Sequence, residues 1–152
     1  FVEMSLDDIA YLVQVNVLGT LYVTHSFLPL LIDQKGSIVN FSSTLCQRPR
    51  SGTVAYSATK GAVGNLTKGM ATDWAKYGLN CNAIAPGYFD TPLNAALVAD
   101  PAFSTWLEKR TPAGRWGQVE ELVGAAIFLA SDASSFVNGH ILYVDGGITA
   151  SL

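Results

Sequence analysis

The 152 residues suffice for one domain, and at 49% hydrophobic and 14% charged they exclude a disordered chain. A net charge of −3 leaves no basic footprint for nucleic acid or an anionic membrane, Arg48 and Arg50 being a local pair rather than a stripe. Cys46 and Cys81 stand apart from any Cys/His cluster, which argues against zinc or another metal and for a reducing, cytoplasmic setting.

In chain order, Ser5-Leu6-Asp7-Asp8 reads as a helix start: Ser5 caps, and Asp8 follows three residues on, as in a capping box. A long helix is predicted from there to about residue 31, with Ile9, Leu12, Val13 and Val17 on one face and Leu18, Leu21 and Val23 widening it. A helix this apolar is expected to be buried on several sides or to lie in a subunit interface. Pro29 is expected to kink or end it, and polar residues to break its apolar stretches before membrane-spanning length. Gln34-Lys35-Gly36 is a turn, and the apolar run over 37–42 predicts a parallel strand covered on both faces.

A second long helix is predicted over 53–77, closed by Gly78, with Ala55, Ala58, Gly61, Ala62 and Gly64 inviting close approach by a helix or ligand. The next strand spans 79–84 and ends at Ala85-Pro86-Gly87-Tyr88. Residues 89–117, with Pro92, Pro101 and Pro112, read as a flap over a site, with a short helix near 102–109. A helix over 118–130, a strand over 140–144 and a tight turn at Asp145-Gly146-Gly147 complete the chain. This alternation predicts an α/β fold: a parallel sheet, right-handed crossovers, helices on both faces.

Tyr56 and Lys60 are spaced i, i+4 on one helix face. An ammonium beside a phenol favours the phenolate, so Lys60 is expected to lower the Tyr56 pKa toward neutrality and fit it for proton exchange with a hydroxyl or carbonyl. Ser43 lies just past the first strand, where open parallel sheets bind ligands, and its hydroxyl can bond the same substrate oxygen. A Tyr-x-x-x-Lys pair by itself is more often a solvated helix face.

The combination is more specific. Ser42-Ser43 is followed, thirteen residues beyond Ser43, by Tyr56-Ser57-Ala58-Thr59-Lys60-Gly61, then by Asn82-Ala83-Ile84-Ala85-Pro86-Gly87, Val137-Asn138-Gly139-His140 and Val144-Asp145-Gly146-Gly147. Together these resemble the short-chain dehydrogenase/reductase family over essentially the whole chain. The resemblance implies the C-terminal part of a doubly wound, parallel-sheet Rossmann fold and an oxidoreductase using NAD or NADP. It implies catalytic roles for Asn16 (holding a relay water), Ser43 (orienting substrate), Tyr56 (acid/base) and Lys60. It also implies nicotinamide-side contacts from Tyr56, Lys60, Pro86, Gly87 and Thr91, and a homo-oligomer, dimer or tetramer. Within the family, the stretches 86–92, 109–117 and 136–147 resemble members that interconvert D-gluconate and 5-dehydro-D-gluconate. Arg48, Arg50 and Arg115 are then candidates for a sugar-acid carboxylate, although each taken singly reads as a surface residue. His25 and His140 read as structural.

The family's Gly-rich phosphate turn has no counterpart here, since Gly61-Ala62-Val63-Gly64 lies inside a helix. Residues 1–152 are therefore expected to be a single partial domain lacking an N-terminal βαβ half of roughly 100 residues, which would leave the 38–41 strand with a bare edge. Two alternatives stay open. One is a non-catalytic oligomerisation module. The other is a 3-oxoacyl-carrier-protein reductase, which would want a basic docking patch not seen in the sequence.

Overall fold

A computed structural model describes Phe1 and residues 3–151. It begins with a helical rod, Leu6–Gln34, in three continuous parts: α1 (Leu6–Val13), one π-helical turn (Gln14–Leu18) and α2 (Gly19–Gln34). Ser5 caps α1 as expected, its Oγ accepting from the Asp8 amide at 3.0 Å and donating to the Asp8 carboxylate at 2.7 Å. Pro29 does not end the rod. It sits on the exposed side of α2, where water can serve the carbonyl that loses its N–H partner. The rod stops instead at Lys35, which adopts the left-handed conformation (φ 51°).

Strand β1 (Ser37–Phe41) pairs in parallel with β2 (Asn80–Pro86), and β2 with β3 (Ile141–Val144), in the order β1-β2-β3. The registers Ser37↔Asn80 and Ala83↔Ile141 bring the carboxyl ends of the strands to one side of the sheet. Full cover belongs to β2, whose residues from Cys81 to Ala85 are all buried. β1 was expected to be covered on both faces and is not: Phe41 is half exposed, and among the described residues no strand pairs with its outer edge.

Helix α3 (Val54–Trp74) makes the crossover from β1 to β2 and ends through a 3-10 turn at Gly78, left-handed as expected. It lies on the sheet through Thr59, Val63, Gly64, Thr67, Met70 and Ala71. After β2 come two short helices, α4 (Ala95–Val98) and α5 (Pro101–Arg110), the latter capped by Asp100 with Pro101 in its first turn. The predicted 118–130 helix is a 3-10 turn, Val119–Leu122, leading into α6 (Val123–Leu129), which packs on β1 and β2 from the face opposite α3. The 89–117 segment is pinned at its root. Phe89 and Gly117 form an isolated bridge, with the Asp90 amide on the Gly117 carbonyl and the Gly117 amide on the Tyr88 carbonyl, each at 2.9 Å.

Asparagine amides lock the strands to neighbouring elements. Asn82, fully buried, donates to the Val137 carbonyl at 2.7 Å and accepts from the His140 amide at 2.9 Å. Asn138 accepts from the Cys81 amide at 2.8 Å, and Asn40 donates to Thr67 Oγ1 at 3.0 Å. A buried amide left without partners is costly, so the Asn82 and Asn138 bonds specify where β3 docks.

The rod departs most from expectation. Leu6, Tyr11, Val15, Tyr22, Val23, Phe27 and Leu30 are exposed, and Thr24 is the only buried residue among those described. By length and composition the rod is also apolar enough to cross a membrane, contrary to the expected interruption, because no Asp, Glu, Lys or Arg stands between Asp8 and Asp33. In this fold it flanks the sheet, with Leu21 against the cluster of Met70, Ala71 and Cys81.

Candidate active site

The site forms where β1 runs out. Ser42 donates its hydroxyl to the Lys60 carbonyl at 2.9 Å, tying the strand end to α3. Ser43 stays extended (φ −165°, ψ 155°) and caps the next turn, its Oγ accepting from the Leu45 amide at 3.2 Å. That bond uses a lone pair and leaves the Ser43 O–H to point elsewhere. Tyr56, one helical turn before Lys60, is its neighbour, and Ser43 lies near enough to pull the phenol pKa down. Lys60 Nζ lies 5.8 Å from the centre of the Tyr56 ring and donates to the Phe41 carbonyl at 2.9 Å. Ser43, Tyr56 and Lys60 are thus brought together at the carboxyl end of the sheet.

The electrostatics differ from expectation. Burial pushes the Tyr56 phenol above its ordinary pKa, Ser43 pulls it down and the neighbouring Tyr88 pushes it up again. Lys60 does not win that balance, because its ammonium is bound to a carbonyl and is itself pulled down by burial. Tyr56 is a neutral phenol at neutral pH, a proton donor at rest rather than a base.

Asn16 sits in the π-helical turn, a widening that side chains at functional sites often exploit. Its amide donates to Thr59 Oγ1 at 3.0 Å, and Thr59 donates to the Tyr56 carbonyl at 2.8 Å. Asn16 therefore reaches α3 beside Lys60 without bonding it directly. Pro86 closes β2, and Gly87 is demanded by packing: a Cβ there would lie 2.8 Å from Asp145 Cα. Thr91, half-buried, precedes the short turn Pro92–Asn94. Arg115 is withdrawn from the carboxylate candidates by Glu121, which holds it at 2.7 and 2.8 Å; that pairing holds the Glu121 carboxyl down at about 2.

Two residues escaped the sequence reading. Thr59 couples Asn16 to α3, and nothing in its spacing announces that. Tyr88 raises the Tyr56 pKa, and its place directly after Pro86-Gly87 at a strand end was the available signal. Tyr88 also walls a cavity of about 350 Å3 that Thr44, next to Ser43, lines as well. Phe103, Trp106 and Trp116 pack around Tyr88 with ring centres 5.8, 6.3 and 6.1 Å away.

Residues 1–149 match the model of a family described as Enoyl-(Acyl carrier protein) reductase. A gluconate 5-dehydrogenase of Gluconobacter oxydans is 56% identical over 99% of this chain and 59% of its own length. A 5-keto-D-gluconate 5-reductase of Escherichia coli K12 is 43% identical over all of this chain and 59% of its own. The crystal structure of a gluconate 5-dehydrogenase from Burkholderia cenocepacia, in complex with NADP and tartrate, superimposes with a TM-score of 0.96 at 53% identity, over 99% of this chain and 59% of that one. The chain therefore spans about 59% of the length of these relatives.

Proposed function

The chain belongs to the short-chain dehydrogenase/reductase family, and we propose that the complete protein is an NAD(P)-dependent oxidoreductase interconverting D-gluconate and 5-dehydro-D-gluconate. The observation that carries this reading is the convergence of Ser43, Tyr56 and Lys60 beside a cavity of sugar-acid size. Neither alternative raised by the sequence is favoured: a non-catalytic module has no use for that grouping, and the Gluconobacter and Escherichia relatives, at 56% and 43% identity, are named for gluconate.

The residues present fit the nicotinamide half of the cofactor. Among the described residues Lys60 Nζ has one acceptor, the Phe41 carbonyl, which leaves two N–H groups for a ribose. Tyr56, Lys60, Pro86, Gly87 and Thr91 would hold that half, and the NADP in the Burkholderia relative favours NADP over NAD. When bound, the nicotinamide supplies the hydride donor or acceptor.

In reduction, the Ser43 and Tyr56 hydroxyls donate to the substrate carbonyl oxygen, the Tyr56 proton passes to that oxygen, and the Lys60 ammonium stabilises the phenolate left behind. In oxidation the phenolate takes the proton back. Because Tyr56 stands above its ordinary pKa, the sign is fixed: the acid form persists through neutral pH, so reduction holds level there, while oxidation climbs as pH rises toward the raised pKa. Asn16 acts through Thr59 on the turn of α3 that carries Tyr56 and Lys60.

The same reading takes the complete protein as a cytoplasmic homotetramer. The free cysteines Cys46 and Cys81 and the uncovered apolar face of the rod support it, and sedimentation analysis tests the assembly. The activity is tested by mixing the complete protein with D-gluconate and NADP and following the near-ultraviolet absorbance of the reduced nicotinamide. Turnover is expected, and none with gluconate or any other sugar acid removes the reading.

A further inference from the structure

Three of the chain's four arginines, Arg48, Arg50 and Arg110, line the cavity beside Thr44 and Tyr88, in a chain of net charge −3. Among the described residues no Asp or Glu lines that cavity. Its cations are also held differently. Arg110 is anchored to Ser151, at 2.6 Å to the hydroxyl and 3.1 Å to the carbonyl. The Arg50 guanidinium lies over the Phe103 ring, 5.3 Å from its centre, and Phe103 is wedged against Tyr88 and Trp106. Stacking fixes the plane of a guanidinium and leaves its N–H edge to a ligand. Arg48 and Arg50 are both exposed to solvent.

We infer that this cavity is a carboxylate subsite, with Arg50 as its main anchor and Arg48 as its second, and that it makes the protein prefer anionic sugar acids to neutral polyols. A carboxylate matches the guanidinium fork, and the cavity borders the proposed reaction site: Thr44, which lines it, follows Ser43 in the chain, and Tyr88, which also lines it, acts on the Tyr56 phenol. The orientation of the bound ligand rests on the oxidoreductase reading above; the anion preference does not.

The test is calorimetric binding of D-gluconate and of D-gluconamide, its neutral amide, to the complete protein, alongside turnover of both. Gluconate should bind at least about 10-fold tighter. Arg50→Gln should weaken gluconate by roughly 10- to 100-fold and gluconamide less than about twofold, Arg48→Gln should do the same more weakly, and Arg115→Gln should change neither. Arg50→Lys, which keeps the charge, should fall between wild type and Arg50→Gln. Equal binding of the two ligands by wild type, or equal weakening of both by Arg50→Gln with Arg50→Lys like wild type, overturns the subsite. Charge-selective binding without turnover keeps the subsite and removes the hydride-transfer reading. Turnover with an unaltered preference in Arg50→Gln does the reverse.

Discussion

Helix α3 buries Thr59, Val63, Gly64, Thr67, Met70 and Ala71, whereas the rod Leu6–Gln34, richer in large apolar side chains, buries Thr24 alone among its described residues. Hydropathy would have ranked them the other way. Shape decides instead: small side chains let α3 settle onto β1 and β2, and the large ones of the rod project outward. Tyr56 and Lys60 ride on the helix that is held, and the apolar surplus rides on the helix left free. Buried position and apolar composition are therefore separate resources, one spent on geometry and the other left for association.

That contrast can be broken or sharpened by substitution. The largest effect is expected at Tyr56: Tyr56→Phe should lower turnover by roughly 10²- to 10⁴-fold while nicotinamide binding, read by fluorescence titration, survives. Next is Gly64→Val on the inner face of α3, where even a Cβ meets Ile141 Cδ1 at 3.0 Å; chemical denaturation should show a loss of about 1–3 kcal/mol. Asn16→Ala removes the bond to Thr59 that joins the helices and should cost about 1 kcal/mol by the same measurement, with reduced turnover. The smallest effect belongs to the rod's outer face: Tyr22→Ser and Phe27→Ser should each shift monomer stability by less than about 0.5 kcal/mol. A larger shift there would show that the rod is not free after all.

The sequence made part of this legible. Short apolar runs bounded by turn residues marked all three strands, and the Ser5 cap and the Gly78 stop lay where their chemistry placed them, because such signals are local. The π-helical turn around Asn16 was not legible, since apolar spacing reports a helix and not the partner each amide chooses. The direction of the Tyr56 shift was missed because it depends on a three-dimensional contest between burial, Ser43, Tyr88 and a lysine occupied elsewhere. Arg110 and Arg115 look equivalent on paper. Only the fold pairs one with Glu121 and turns the other into the cavity.

The bridge between Phe89 and Gly117 gives the segment it closes the character of a polymer ring. Once its ends are joined, the entropy of closure is already met, and each doubling of the ring's length adds only about 0.6 kcal/mol. Insertions near the fully exposed Leu93 are thus nearly neutral for the sheet, yet they alter the segment that carries Trp106 and Arg110 to the cavity. The architecture separates what must stay constant for the proposed proton transfer from what is free to drift, so ligand preference can evolve in small, tolerated steps.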